Sequence, residues 1–149
     1  MKITVRPGER LKGLNENALA QFGQEMRQVA GRTAERLAEA ARAEVRSKAR
    51  QQTGQLESSI NHFSYAGRYG VGAYVGWERT PLKRKGSYED ASGRIRKVST
   101  VADVGRILEY SQTRKLRHIK PAYAAKENEL AEHIEHEIDS FLDRIGLSE

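Results

Sequence analysis

The chain has 149 residues, no cysteine and a formal net charge of +6 at pH 7. This length is typical of one domain with its own core, and the lack of cysteine excludes disulfides, thiol catalysis and thiolate metal sites. No apolar run approaches the roughly 20 residues of a membrane span, so we expect a cytoplasmic protein with no membrane partner.

The charge is divided unevenly along the chain. Residues 126–149 contain two basic and eight acidic residues, whereas residues 1–125 contain 24 basic and 12 acidic ones. This division fits two interpretations. The basic body binds a polyanion, or the basic surface of one copy pairs with the acidic segment of another. The second is favoured because it uses both signs and needs no foreign partner.

A single long helix is predicted over residues 15–52. Apolar residues recur at steps of three or four from Leu19 to Val45, which is the stripe of one amphipathic α-helix. At 1.5 Å per residue this helix would be roughly 55 Å long. We therefore expect part of it to project, to pack on another copy, or to kink at Gly23 or Gly31.

The helix ends carry local signals. Asn15 is predicted to cap the long helix, and Gly54 is predicted to stop it in the left-handed conformation. A short helix is predicted over residues 103–110, with Asp103 as its N-cap, and a C-terminal helix over residues 121–146.

A β segment is predicted over residues 61–101. Its aromatic and aliphatic residues fall on odd positions, which indicates strands with one buried face: Phe63, Tyr65, Tyr69, Val71, Ala73, Val75 and Trp77. A hairpin turn is predicted at residues 66–68, and Gly70, Gly72 and Gly76 share the opposite face, where another backbone can approach closely.

Residues 78–100 are predicted to form a long, mobile loop, because their apolar content is too low for a buried strand. Loops of this length are usually functional or disordered, so the segment is either an arm that becomes ordered on a partner or a solvated insertion. A second basic loop is predicted at residues 111–120. The two loops supply the candidate interface cations: Arg79, Lys83, Arg84, Lys85, Arg94, Arg96, Lys97, Arg114, Lys115 and Arg117.

These patterns together predict one α+β domain spanning residues 1–149. An arm with a short strand, residues 1–14, precedes the long N-terminal helix. That helix and the C-terminal helix pack on a small, mainly antiparallel β-sheet, and a long basic loop interrupts the β segment.

No residue pattern predicts catalysis, a metal site or a cofactor. His133 and His136 are three residues apart, but the glutamates around them are typical of a solvated helix face rather than of a metal centre. No histidine accompanies a nucleophile elbow. Nucleic-acid binding is the alternative function, because aromatic side chains can stack on bases, although most of these aromatics share the parity of the buried strand face: Tyr65, Tyr69, Tyr74, Trp77 and Tyr88.

Four landmarks occur in a fixed order. The long helix leads into Thr53-Gly54-Gln55-Leu56-Glu57-Ser58-Ser59-Ile60, and the glycine- and aromatic-rich segment 69–77 follows. Next come Ile107-Leu108-Glu109-Tyr110 and Ile119-Lys120-Pro121-Ala122. With these landmarks the chain resembles the phage tail-component family typified by gene product 10 of phage HK97, although it has Ser111 where that family usually has glycine. The motif residues are Thr53, Gly54, Leu56, Ser59, Ile60, Glu109, Tyr110, Pro121 and Ala122.

The resemblance implies a non-enzymatic structural protein of a tailed phage, acting in head–tail joining or tail completion. It implies a hexameric ring at the neck or the head-proximal end of the tail, made in the host cytoplasm and incorporated into the virion. The implied partners are further copies of the chain, neighbouring neck, tail-terminator or tail-tube proteins, and genomic DNA passing through the lumen. No cofactor is implied, and the two basic loops would be docking arms.

Overall fold

The computed structural model describes residues 2–5, 14–48, 54–67, 70–90, 92–110 and 117–146. These residues form an α+β fold, as the sequence predicts. The elements in chain order are β1 (Lys2–Val5), α1 (Glu16–Lys48), α2 (Gln55–Ser59), β2 (Ile60–Gly67), β3 (Gly70–Trp77), β4 (Pro81–Glu89), β5 (Ile95–Thr100), α3 (Val101–Tyr110) and α4 (Ile119–Arg144). No helix among the described residues is both long enough and apolar enough to cross a membrane.

Helix α1 is continuous through both of its glycines. The Asn15 side chain accepts a hydrogen bond from the Ala18 N–H at 2.9 Å, which confirms the predicted N-cap. The predicted end of the helix, residues 49–52, lies outside the described residues. Buried side chains run from Phe22 to Val45, so most of α1 is covered within its own chain, and Leu19, in the second turn, remains 41 % exposed.

Three strands form the sheet that packs on α1. The order is β1-β3-β2, with both pairs antiparallel. Ile60, Ala73 and Val75 are buried against the C-terminal half of α1, where alanine recurs at positions with no solvent exposure. Alanine extends only one carbon from the backbone, so helix and sheet approach closely. This cluster also includes Ile119, Ala122 and Leu130 of α4.

The register of β2 and β3 corrects the predicted buried face. Even positions of β2 lie opposite odd positions of β3, as in Ile60 with Trp77, and directly opposed residues share a face. Phe63 and Tyr65 therefore lie on the outer face and not with Ala73, so the prediction that all odd positions share one face is wrong. The reason is that both strands extend to the paired Gly67 and Gly70, with only residues 68 and 69 between them.

Residues 78–100 are not a loop, which corrects a second prediction. Strands β4 and β5 form a separate two-stranded antiparallel sheet, with Glu89 opposite Ile95 and Tyr88 opposite Arg96. Low apolar content does not exclude such a ribbon, because backbone pairing and turn chemistry order it without a buried face. We call residues 81–100 the hairpin arm.

Helix α3 begins at Val101, two residues earlier than predicted. Thr100 is the N-cap, and Asp103 lies at the third helical position. The Asp103 carboxylate accepts the Thr100 N–H at 3.0 Å, and the Asp103 N–H donates to the Thr100 hydroxyl at 3.3 Å. This reciprocal pair is a capping box, so the predicted role of Asp103 as the N-cap itself is wrong.

Helix α4 runs antiparallel to α1. It begins at Ile119, before the predicted position 121, and ends at Arg144, after which Gly146 adopts a φ of 73°. A second apolar cluster joins the far ends of the two helices, where the rings of Phe22 and Phe141 meet edge to face at 5.2 Å. The core therefore has two parts, one beneath the sheet and one between the two long helices.

Candidate functional site

One aspartate organises the turn of the hairpin arm. Asp90 Oδ1 accepts the Ser92 hydroxyl at 2.6 Å, the Ser92 N–H at 2.9 Å and the Arg94 N–H at 3.1 Å, and Oδ2 accepts the Arg96 Nε–H at 2.8 Å. The Ser92 hydroxyl and the Arg96 guanidinium hold the pKa of Asp90 well below its usual range. Gly93 supplies the φ of 77° that this turn requires.

The outer part of the arm is solvated on both faces. Between Lys85 and Lys97, every described side chain is exposed except Asp90, which is half-buried. Ile95 is 76 % exposed, an unusual value for an isoleucine. The arm joins the body at its base, where Val98 is buried.

The arm carries an excess of positive charge. Arg96 pairs with Asp90, whereas Lys85, Arg94 and Lys97 form no ion pair with another described residue. Ion pairing within the described chain therefore leaves these cations available to an external surface.

The structure gathers six of the ten predicted interface cations onto this arm. Arg79 is exposed just before β4, and Arg117 is exposed just before α4, where its carbonyl accepts the Lys48 ammonium at 3.0 Å. Arg114 and Lys115 lie outside the described residues. The six on the arm are Lys83, Arg84, Lys85, Arg94, Arg96 and Lys97.

The outward face of α4 has the opposite charge. Four acidic side chains recur at steps of three or four and are all exposed, so they share one face of the helix, away from the core. They are Glu132, Glu135, Asp139 and Asp143. We call these four residues the acidic face.

Two ion pairs join α4 to α1 within the chain. Arg32 lies 3.5 Å from Glu137, and Arg144 pairs with Glu25. Part of the opposite charge noted in the sequence is therefore paired inside one copy, whereas the four side chains of the acidic face are exposed to solvent.

The two histidines of α4 do not form a common site. His133 faces α1, and its buried Nε2 has no hydrogen-bond partner among the described residues. Desolvation, followed by the nearby Arg36, lowers the pKa of His133, whereas His136 is exposed. No group of three or more metal-ligating side chains occurs within the described ranges.

A buried carboxylate from α3 caps α4. Glu109 is 2 % exposed and accepts the backbone N–H groups of His118, Ile119 and Lys120 at 3.0, 2.9 and 2.8 Å. Pro121 has no N–H, and the next residue already bonds within the helix. The first N–H groups of a helix have no acceptor within the helix. In α4 each of them either donates to Glu109 or, at Pro121, does not exist.

Burial and hydrogen bonding act in opposite directions on this carboxylate. Desolvation favours the neutral acid, but the three N–H donors outweigh it, so the pKa of Glu109 is lowered. Glu109 therefore keeps its negative charge in the interior because the N–H groups at the start of α4 stabilise it.

Trp77 connects this junction to the sheet. Its indole N–H donates to His118 Nε2 at 3.0 Å, so the neutral imidazole carries its proton on Nδ1, 3.5 Å from the Glu109 carboxylate. The Trp77 ring also lies against Gly105, where a Cβ would be 2.5 Å from ring atoms. Sheet, α3 and α4 therefore meet at one hydrogen-bonded point.

The motif residues around α2 have structural roles as well. Gly54 has a φ of 70° just before the helix, the left-handed conformation that the sequence predicts. The Ser59 hydroxyl donates to the Leu56 carbonyl at 2.8 Å. Ile60 is fully buried, and its carbonyl accepts two bonds from Arg42, at 2.7 and 3.1 Å. Thr53 lies outside the described residues.

Two motif residues flank the buried junction differently. Ala122 is buried, whereas Tyr110 is 63 % exposed, with the Lys120 ammonium 5.6 Å from its ring centre. Tyr110 therefore offers an aromatic surface to solvent or to a partner.

The outer face of the three-stranded sheet carries aromatic side chains. Phe63 and Tyr74 stack with ring centres 5.0 Å apart, and Tyr74 is 43 % exposed. Tyr65 lies on the same face and is half-buried. The odd-position pattern of the sequence placed Phe63 and Tyr65 in the core, so this aromatic surface was not predicted. Tyr69 lies outside the described residues.

Comparison of the chain with family models, with curated proteins and with solved structures gave no match.

Proposed function

We propose that this protein is a non-enzymatic structural subunit of a tailed bacteriophage, acting in head–tail joining or tail completion. In this proposal the subunits form a hexameric ring at the neck or the head-proximal end of the tail. The ring contacts neighbouring neck, tail-terminator or tail-tube proteins, and genomic DNA passes through its lumen. Assembly begins in the host cytoplasm and ends in the virion.

The hairpin arm is the observation that carries this proposal. A basic ribbon that is exposed on both faces and attached only at its base contributes little to the core of its own chain. Because it is held in shape by Asp90, it can dock on a neighbour without first becoming ordered, which lowers the entropic cost of binding.

The motif residues give secondary support. Glu109, Pro121 and Ala122 belong to one buried junction, and Gly54, Ser59 and Ile60 to another. Their roles are to position elements of the fold, as expected where a family resemblance reflects a shared scaffold rather than shared catalysis.

Electron microscopy of particles from a phage that lacks this gene tests the proposal. We expect filled heads with separate tails, or tails of irregular length. A phage in which residues 82–99 are replaced by a short Gly-Ser turn should have the same defect, although the shortened protein folds. Intact infectious virions without the gene would overturn the proposal.

Nucleic-acid binding is the second candidate. The Phe63–Tyr74 stack, in which Tyr74 is exposed, favours it, because a sheet face with aromatic side chains is a stacking platform for bases. The test is the affinity for single- and double-stranded DNA at several salt concentrations. Tight, steeply salt-dependent binding that Tyr74→Ala weakens would support this candidate, and its absence would remove it.

A further inference from the structure

We propose that the hairpin arm of one copy binds the acidic face of α4 on a second copy of this chain. The inference rests on the proposed ring, and it names the two surfaces that join adjacent subunits.

The arm has the properties of a surface that lacks its partner. Ile95 is 76 % and Tyr88 39 % exposed, and a two-stranded ribbon gains stability when a partner covers one of its faces. Lys85, Arg94 and Lys97 form no ion pair with another described residue. A partner that completes the arm must therefore be acidic and must offer some apolar contact.

The acidic face matches the arm in charge and in length. From Glu132 to Asp143 the helix rises roughly 17 Å, and the strand from Lys85 to Glu89 covers roughly 13 Å. On the same side of α4 lie the exposed Asn128 and Ala131, whose short side chains let a β-ribbon approach the helix closely.

The acidic face that the arm binds belongs to another copy, because the arm does not lie on its own α4. Its described side chains from Lys85 to Lys97 are exposed on both faces, apart from the half-buried Asp90. Its base is fixed at the start of α3, where the Val101 N–H donates to the Thr80 carbonyl, and the other end of α3 contacts the first turn of α4 through Glu109. The acidic face starts at Glu132, roughly 20 Å further along α4 than Ile119.

A contact between two different surfaces of identical chains is heterologous. Such contacts close into a ring when the rotation between copies allows it. The charged pairs would fix the register between copies and exclude wrong neighbours. Burial of Ile95, which shares a face of the arm with Lys97, would supply apolar contact.

Charge reversal of the full-length protein tests the contact. The arm-reversed variant carries Lys85→Glu and Lys97→Glu, which lie on the same face of the arm as Ile95. The helix-reversed variant carries Glu132→Lys and Glu135→Lys. All four positions are exposed, so thermal unfolding should be unchanged. In sedimentation velocity at low salt we expect the wild type to associate and each variant to associate at least tenfold more weakly.

Restoration is the decisive measurement. The variant with all four reversals, and an equimolar mixture of the two reversed variants, should regain association, because opposite charges face each other again. Two matched controls change the same net charge on exposed α1 positions, and these should associate like the wild type. One carries Arg27→Glu with Gln24→Glu and Gln28→Glu, and the other carries Glu35→Lys with Glu39→Lys.

Several outcomes would overturn the proposal: a monomeric wild type, association that survives both reversals, or a mixture that stays monomeric. If the arm-reversed variant lost its binding to duplex DNA but still associated with itself, the arm would instead be a nucleic-acid-binding surface. A phage with the arm-reversed protein that forms normal particles, while the gene deletion does not, would refute this contact and leave the proposed function standing.

Discussion

Glu109, at the end of α3, binds the first turn of α4 through three backbone N–H groups and lies near the His118 ring. Nothing in the sequence around residue 109 predicts this role, because a glutamate at a helix end more often faces water. The family resemblance singled out Glu109 and Pro121 as motif residues, but did not predict that Glu109 accepts the first N–H groups of α4 and that Pro121 has none that needs an acceptor.

Replacing Glu109 by glutamine should destabilise the fold. The amide keeps the size of the carboxylate but turns one acceptor into a donor that faces backbone N–H groups. A buried donor without an acceptor costs about 1–3 kcal/mol, and urea unfolding measures this loss. Glu132→Gln, on the acidic face, is the matched control and should stay within about 0.5 kcal/mol of the wild type.

The effect of Glu109→Gln should depend on pH. The pKa of Glu109 is lowered in the folded protein from an ordinary value of 4.5. The carboxylate therefore contributes fully above pH 4.5, and its contribution declines as the pH falls from there towards the folded pKa. The difference in unfolding free energy between wild type and variant should narrow over that range. A difference that stays constant with pH would mean that the charge of Glu109 is not what stabilises α4.

Gly105→Ala should destabilise the same junction by a different mechanism. The new methyl group would lie 2.5 Å from the Trp77 ring, so the ring must move away from His118, at about 1–3 kcal/mol. Trp77 is the sole tryptophan, so its fluorescence should shift as well. Gly31→Ala, where nothing lies within 4 Å, should instead stabilise α1 by up to about 1 kcal/mol, and a loss there would contradict the reasoning.

At the scale of elements, what the sequence predicted depends on whether an element buries a face. Helices α1 and α4 were predicted from their apolar spacing, and β2 and β3 from alternation. The described side chains of the hairpin arm are mostly exposed, so no alternation of apolar residues marked its strands in the sequence. The faces of β2 and β3 were assigned wrongly because parity depends on how many residues connect two strands, which periodicity within each strand does not reveal.

Asp90→Ala should loosen the arm without unfolding the body. The substitution removes the acceptor for Ser92, Arg94 and Arg96, while the core clusters lie elsewhere. Trypsin should cleave the arm faster than in the wild type, and the thermal unfolding midpoint should hardly change. Ser87→Ala, also exposed on the arm, should leave the cleavage rate as it is. Equal cleavage of Asp90→Ala and wild type would show that the strand pairing alone orders the arm.

For the whole molecule, the charge division along the sequence becomes a division in space. Basic side chains gather on the arm, and acidic ones on the outward side of α4, while Arg32–Glu137 and Arg144–Glu25 join the two long helices. The sequence predicted the division but not the intramolecular pairs, because it could not place α4 against α1. Exposed pairs of this kind contribute little to folding stability, so salt should act mainly on association.

Raising the ionic strength should therefore separate association from folding. The screening length falls from about 10 Å at 0.1 M salt to about 3 Å at 1 M. The apparent mass in sedimentation velocity should decrease over this range while the thermal unfolding midpoint stays nearly constant, because both core clusters are apolar. A large fall in the unfolding midpoint would show that surface ion pairs hold the two long helices together.

The cap on α4 also determines whether the N-terminus of this helix can bind a phosphate group. A helix N-terminus concentrates partial positive charge and free N–H groups, and it ordinarily attracts anions. Here the exposed Arg117 and Lys120 lie beside such an end, but the Glu109 carboxylate already accepts its N–H groups, and Pro121 has no N–H to donate. A nucleic-acid backbone passing this surface would therefore meet exposed cationic side chains but no free backbone N–H groups at this helix end, and no fixed phosphate site would form there.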